Sequence, residues 1–258
     1  MGSKGEPRGM EDSAFIGGVI AGIVYLAAGI RLVRLSWRTQ ASPELMLGLA
    51  FILWALSYAC WQIPIATANQ PLTQPLFFAG RAFTNAGTIF LAYFVWVGFR
   101  NQSHWAKYLV HAITLGLLAG MIFSVAEGDW EGIQPTDNPW WYLDWGAGFM
   151  AMAWVGVEGL IEYPKARKRV QLGHCDPLVC HRLFLWAVVG IVWTVYNGVY
   201  LYQVVEFETT QIWSAGMDRA IAATEAIGIA LVCLIFFPPR FYKRWVAGAA
   251  PAADSEEA

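Results

Sequence analysis

Arg81, Asn85, Asp144, Asn197, Asp218, Arg219 and Glu225 stand within or at the ends of stretches that are otherwise apolar. Ionisable groups in such surroundings are costly, and they are kept where they pair, hold a ligand or carry protons. Arg81 brings a planar fork of five N–H donors suited to a carboxylate. Glu225 has no charged neighbour in sequence. Its charge therefore has to be balanced by an arginine, by protonation or by a bound cation. Tyr58, Trp61, Gln62 and Trp193 add aromatic rings and an amide. Counting about 1.5 Å of rise per residue, Asn85 and Glu225 reach a common depth on the order of 12 Å inside their segments. The convergence predicts a polar pocket lined by aromatic side chains, with these eleven residues as its ligand-binding set. The competing reading is that Arg81 pairs with Glu225 or Asp218 only to lock helices, an interaction of about 0.6 kcal/mol.

Other reactive groups are sparse. Glu158 and Glu162 lie one turn apart on a single helix face, with Glu162 in reach of Lys165 or Arg169 and Glu158 expected to pair with Arg31. His174-Cys175-x4-Cys180-His181 has the donor types of a tetrahedral metal site but not a usual ligand spacing. Asp176-Pro177 within it reads better as a helix start, with Asp as N-cap and Pro in the first turn. His104 and His111 are isolated. No nucleophile–base pair or metal set is readable, so neither an enzyme nor a metal protein is expected.

The elements that must position these residues are seven apolar stretches: Ala14–Leu35, Glu44–Thr67, Leu76–Phe99, Trp105–Ala126, Trp140–Tyr163, His181–Val205 and Met217–Pro238. Each has the roughly 20 residues that a helix needs to cross the hydrocarbon layer. The 258-residue composition agrees, with 57% hydrophobic and 14% charged residues and a mean hydropathy of +0.44. The expected fold is an all-α integral membrane protein: one seven-helix domain over 14–246 between disordered tails at 1–13 and 247–258. Connections this short hold no nucleotide- or nucleic-acid-binding module, so the expected partners are the bilayer, an unidentified small molecule and a membrane or cytoplasmic protein.

Orientation follows from the basic residues. Thirteen of the 17 Lys and Arg, among them Arg34, Arg100, Lys168 and Lys243, fall at one side, whereas Lys4 and Arg8 fall at the other. The N-terminus is thus expected outside and the C-terminus in the cytoplasm, in a plasma membrane or bacterial inner membrane. The start lacks a cleavable signal pattern. Cys60 and Cys233 lie in spans and Cys175 and Cys180 in a cytoplasmic connection, so no disulfide framework is expected. Trp140, Trp141 and Trp145 at one boundary and Trp37, Trp105 and Trp245 at the other read as interfacial belts. Pro238-Pro239 reads as a helix stop before a short interfacial segment.

The first three spans look like the last three. Trp54 and Trp61 are matched by Trp186 and Trp193; Gly18, Ala21 and Gly29 by Gly148, Ala151 and Gly159; and Arg81 by Arg219. This three-plus-one-plus-three order makes the repeats parallel and puts a site between the halves. Sugar transporters of the SWEET type share the layout, but Pro64 alone falls in the interior of a span here. Arg81, with Leu185-Trp186 and Trp193, is similar to the pattern of microbial rhodopsins, an analogy of architecture. The seventh span has no Lys, so a retinal Schiff base is excluded and no cofactor is expected. The leading expectation is a receptor or sensor that binds a small molecule in the outer pocket and signals through the basic fifth-to-sixth connection. A small-solute transporter and an accessory subunit of a larger membrane complex are the alternatives. With native cysteines removed, Asp137→Cys is expected to react with an impermeant thiol reagent on intact cells, and Lys168→Cys only after permeabilisation; the opposite result inverts the topology.

Overall fold

The computed structural model describes residues 8–67, 70–129, 138–207 and 215–248. The described residues form eight helices: α1 (Arg8–Thr39), α2 (Ser42–Thr67), α3 (Gln70–Phe99), α4 (His104–Ala126), α5 (Pro139–Gln171), α6 (Pro177–Phe207), α7 (Ala215–Phe236) and α8 (Arg240–Gly248). No strand is present among the described residues. α1 already begins at Arg8, inside the polar lead-in read as a tail through Ser13. Residues 1–7 and 249–258, the rest of the expected tails, lie outside the described residues.

Among the described residues, five helices are long and apolar enough to cross a membrane, at Phe15–Thr39, Ser42–Pro64, Thr73–Phe99, His104–Ala126 and Pro177–Glu206. A sixth is added if Ala223–Phe236 and Arg240–Gly248, bent by 75° at their junction, count as one span. This is the character of a multi-pass membrane protein. α5 has the length, with 33 residues, but not the apolar composition, because Asp144, Glu158 and Glu162 interrupt it.

Burial along the helices follows their period. In α1, Ala21, Tyr25, Ala28 and Leu32 are buried, while Ile16, Val19, Ile20, Ile23 and Ile30 are exposed. An outward apolar face is what lipid, rather than water, favours. α4 buries Ala106, Val110, Ile113, Leu117, Gly120 and Ser124, a seam at three- and four-residue steps. α5 does the same with Asp144, Ala147, Ala151, Trp154 and Glu158.

The helices close into a ring. Each of α1 to α6 packs on the next, and α7 returns to α1. α3 also packs directly on α5, so α4 stands behind that pair. Small residues set the closest approaches, as expected where association depends on van der Waals contact between backbones. A Cβ on Gly29 would lie 2.8 Å from the Gly48 carbonyl, and one on Gly159 would lie 2.7 Å from the Ala187 nitrogen. Gly156 and Gly190 meet backbone to backbone.

Local signals fix the ends. Asn138 caps α5, its side-chain oxygen accepting from the nitrogens of Trp140 at 3.0 Å and Trp141 at 3.3 Å. Asp176 caps α6 as expected, accepting from Leu178 N at 2.8 Å. Gly173, at φ 71°, closes α5 in a conformation that favours glycine. Pro238-Pro239 ends α7, and α8 folds back so that Tyr242 is buried and hydrogen-bonds His181 Nδ1 at 2.6 Å.

Gly190→Ala is expected to destabilise the bundle by about 1–3 kcal/mol in thermal or denaturant unfolding, since the added Cβ meets backbone that has nowhere to go. Gly198, on the same helix with open space around its Cβ position, is the control; Gly198→Ala should leave stability unchanged or slightly raised.

Candidate functional site

Arg81 and Asn85 are four residues apart on α3 and therefore share a face, turned toward α5. Arg81 donates from Nε to Asp144 Oδ2 at 2.9 Å, and its Nη2 lies 2.8 Å from the same oxygen. Its remaining donors reach the Asp129 carbonyl at 3.1 Å and Ser124 Oγ at 3.2 Å. Asn85 Nδ2 donates to the other Asp144 oxygen at 2.7 Å. Gly120 of α4 allows this, because a Cβ there would sit 2.6 Å from the Asp144 nitrogen. The arginine thus pairs with Asp144 and not with Glu225, one of the two acids named in the competing reading; the side chain of the other, Asp218, lies outside those described. The reason is helix order: α3 packs on α5 and makes no packing contact with α7 among the described residues.

The same order corrects the second acidic position. Glu158 pairs with Arg100, whose Nε donates to its two oxygens at 2.9 and 3.0 Å, and accepts from Trp154 Nε1 at 3.0 Å. Arg31, the expected partner, instead lies over the Phe237 ring at 5.5 Å, since α1 packs on α2 and α7 but not on α5. Glu162 pairs with Lys165 at 2.7 Å, as expected for an exposed turn.

Inside the ring is a cavity of about 440 Å³ to which all seven long helices contribute. It is lined by eight of the eleven residues picked from sequence: Tyr58, Trp61, Arg81, Asn85, Asp144, Trp193, Asn197 and Glu225. Gln62 does not line it. That side chain turns toward Gly18 of α1, where a Cβ would collide with it, and its Oε1 is buried with no hydrogen-bond partner among the described residues. The side chains of Asp218 and Arg219 lie outside those described.

Sequence reasoning missed part of the wall. Tyr25, Trp54, Trp186 and Tyr196 face the cavity, and Tyr25 packs on Tyr58 with ring centroids 5.8 Å apart. The available signal was spacing: Trp193, Tyr196 and Tyr200 fall at steps of three and four on α6, and Trp141, Trp145, Gly148 and Met152 do so on α5. Glycines on neighbouring helices leave room for the indoles. A Cβ on Gly87 would lie 2.8 Å from Trp54, and one on Gly228 would lie 3.4 Å from Trp193.

On the α7 side, Tyr58 and Glu225 line the cavity together. Tyr25, Tyr58 and Tyr196 all lie within electrostatic reach of that carboxyl. No ion pair among the described residues involves Glu225. Elsewhere, no group of three or more His, Cys, Asp and Glu among the described residues is placed to hold a metal ion. His181, from the sequence motif that carried those donor types, is engaged by Tyr242.

No family model, curated protein or solved structure matches the chain. The site itself is therefore the ground for any functional reading.

Removing one partner of a buried pair strands the other charge, whereas removing both need not. Arg81→Met alone is expected to cost about 3–5 kcal/mol, and Arg81→Met with Asp144→Leu distinctly less. Unfolding of the purified single and double variants measures this; a double variant as unstable as the sum of the singles would show that the pair does not couple.

Proposed function

We propose that this is a seven-span receptor or sensor of the plasma membrane, binding a small molecule in the central cavity. The N-terminus is outside, so the half holding Arg81, Asp144 and Glu225 is the outer one. One observation carries the reading: a single cavity of about 440 Å³ has walls from seven helices, mixing aromatic faces with a few polar groups. That size and lining are typical of small-molecule sites.

α5 belongs among the spans on this reading even though its composition is the least apolar. Its two buried acids are each neutralised within the bundle, Asp144 by Arg81 and Glu158 by Arg100, so lipid meets neither charge. The sharp turn into α8 keeps that helix at the surface, with Phe241 and Trp245 exposed beside Lys243 and Arg244, as suits an interfacial segment. The parallel repeat is supported by packing at one pair of corresponding positions: α1 closes on α2 at Gly29, and α5 closes on α6 at Gly159. Trp54 and Trp61 from one half face Trp186 and Trp193 from the other across the cavity.

That repeat also favours a second reading, a small-solute transporter in which the halves rock about the site. The receptor reading assigns the pocket binding alone, with a separate membrane or cytoplasmic partner receiving the signal at the fifth-to-sixth connection. Gly148 lines the cavity, and a Cβ there would meet only Leu117, at 3.9 Å. Gly148→Phe should therefore fill the cavity without disturbing the bundle. In a thermal-shift screen of purified protein, ligands that stabilise the wild type are expected to lose their effect on Gly148→Phe. A ligand held at 100 times its dissociation constant stabilises by about 2.7 kcal/mol. Equal shifts in both proteins would place binding elsewhere, and saturable flux in liposomes containing this protein alone would favour the transporter.

A further inference from the structure

Among the described residues, the charges that face the cavity do not cancel. Arg81 is consumed by Asp144, with Asn85 satisfying the second oxygen. Asp144 and Arg81 together contribute no net charge, and Asn85 and Asn197 are neutral. Glu225 is left over. It lines the same cavity from α7, lies within electrostatic reach of Tyr58, and has no basic group paired with it among the described residues.

The surroundings of Glu225 are aromatic. Tyr25 and Tyr58 pack with centroids 5.8 Å apart, Tyr58 and Trp61 at 6.1 Å, and Trp193 and Tyr196 at 5.2 Å. Aromatic faces carry negative potential and attract ammonium groups, most strongly where water is excluded. A carboxyl set among such faces is complementary to a cation and disfavours an anion. Further in, Phe51, Trp54 and Trp186 give the cavity an apolar lining, with Phe51 and Trp186 stacked at 6.4 Å.

Resting on the small-molecule reading above, we infer that the cavity takes an organic cation: an ammonium or quaternary ammonium head on an apolar body. Glu225 and the faces of Tyr25, Tyr58 and Tyr196 hold the head. Phe51, Trp54 and Trp186 hold the body. The Arg81–Asp144 pair walls the opposite side and leaves the net charge of the cavity to Glu225.

Two probes of equal shape separate charge from size: benzyltrimethylammonium and its uncharged isostere neopentylbenzene. Binding is read by thermal shift of the full chain in a maltoside detergent, which brings no competing ammonium headgroup. Wild type is expected to bind the cation at least tenfold more tightly than the isostere. Glu225→Gln should remove most of that preference while keeping its affinity for neopentylbenzene, which shows that the cavity is intact. If Glu225→Gln does not fold, Tyr196→Leu replaces it and should weaken the cation severalfold with little change for the isostere. An isostere bound as tightly as the cation by wild type overturns the cation inference and leaves the small-molecule reading standing. Saturable displacement of the cation by 3-phenylpropionate would overturn it in the same way. Binding of neither probe, together with no hit in the broader screen, removes both.

Discussion

A charge enclosed in an apolar bundle is costly unless it is balanced, and α5 carries two acids that are balanced from another helix. Asp144 and Glu158 are fourteen residues apart on the buried seam of α5, and they find Arg81 within α3 and Arg100 one residue past its end. Arg81 and Arg100 lie on the order of 30 Å apart along that direction. The pairs therefore clamp α3 to α5 at both levels and fix their register, since a shift of one residue would strand a charge at either end. Much of the remaining architecture follows. α4 joins the ends of a pair that already touch, so it can only lie behind them, and it reaches the cavity through Leu117.

Close packing and open space are divided by residue size. Where glycines face each other, as at Gly29 with Gly48 and Gly156 with Gly190, helices approach to backbone contact. Facing the centre, indoles and phenols stand on the helices instead, and their bulk holds the ring apart. Trp54 resting against Gly87 and Trp193 against Gly228 shows how both rules operate at one position: the glycine leaves room for the indole, and the indole lines the cavity. Such wide, flat side chains cannot interdigitate as aliphatic ones do, which leaves a space of this size between them.

The periodic apolar runs were legible in the sequence because the helical repeat and the lipid surface act on every residue. The polar layer was legible for a related reason: Arg81, Asn85, Asp144 and Glu225 are exceptions within those runs, and eight of the eleven chosen residues do meet at the cavity. Their pairing was not legible. Nothing in the spacing of Arg81 distinguishes Asp144 from Glu225 as its partner; the difference is that α3 adjoins α5, a property of ring order. Arg31 lost Glu158 to Arg100 for the same reason. Gln62 went astray because it sits one residue beyond Trp61, and about 100° of rotation carries a side chain from the cavity to the neighbouring helix. Tyr25 was hidden by its composition, one aromatic among ten tyrosines in a chain rich in them.

Among the described residues, ion pairing is uneven around the ring, so its walls differ in how they are held together. The α3–α5 wall is held by two ion pairs with multiple hydrogen bonds. The α7 wall packs on α1 and α6 with no ion pair among the described residues, through contacts such as Gly228 against Trp193 and Phe236 against Phe51 and Trp186. A ligand can shift an equilibrium only by its difference in affinity for two arrangements. Contacts that change little as α7 moves oppose such a shift less than charge pairs that must be broken. Glu225 is carried by that more lightly held wall, whereas Arg81 and Asp144 belong to the clamped one. Phe236 connects the α7 wall to the α8 side of the molecule, where the Pro238-Pro239 turn and the His181–Tyr242 hydrogen bond join α7, α8 and the start of α6. The α7 wall is thereby joined to the start of α6, beside the α5–α6 connection, through covalent and hydrogen-bonded contacts.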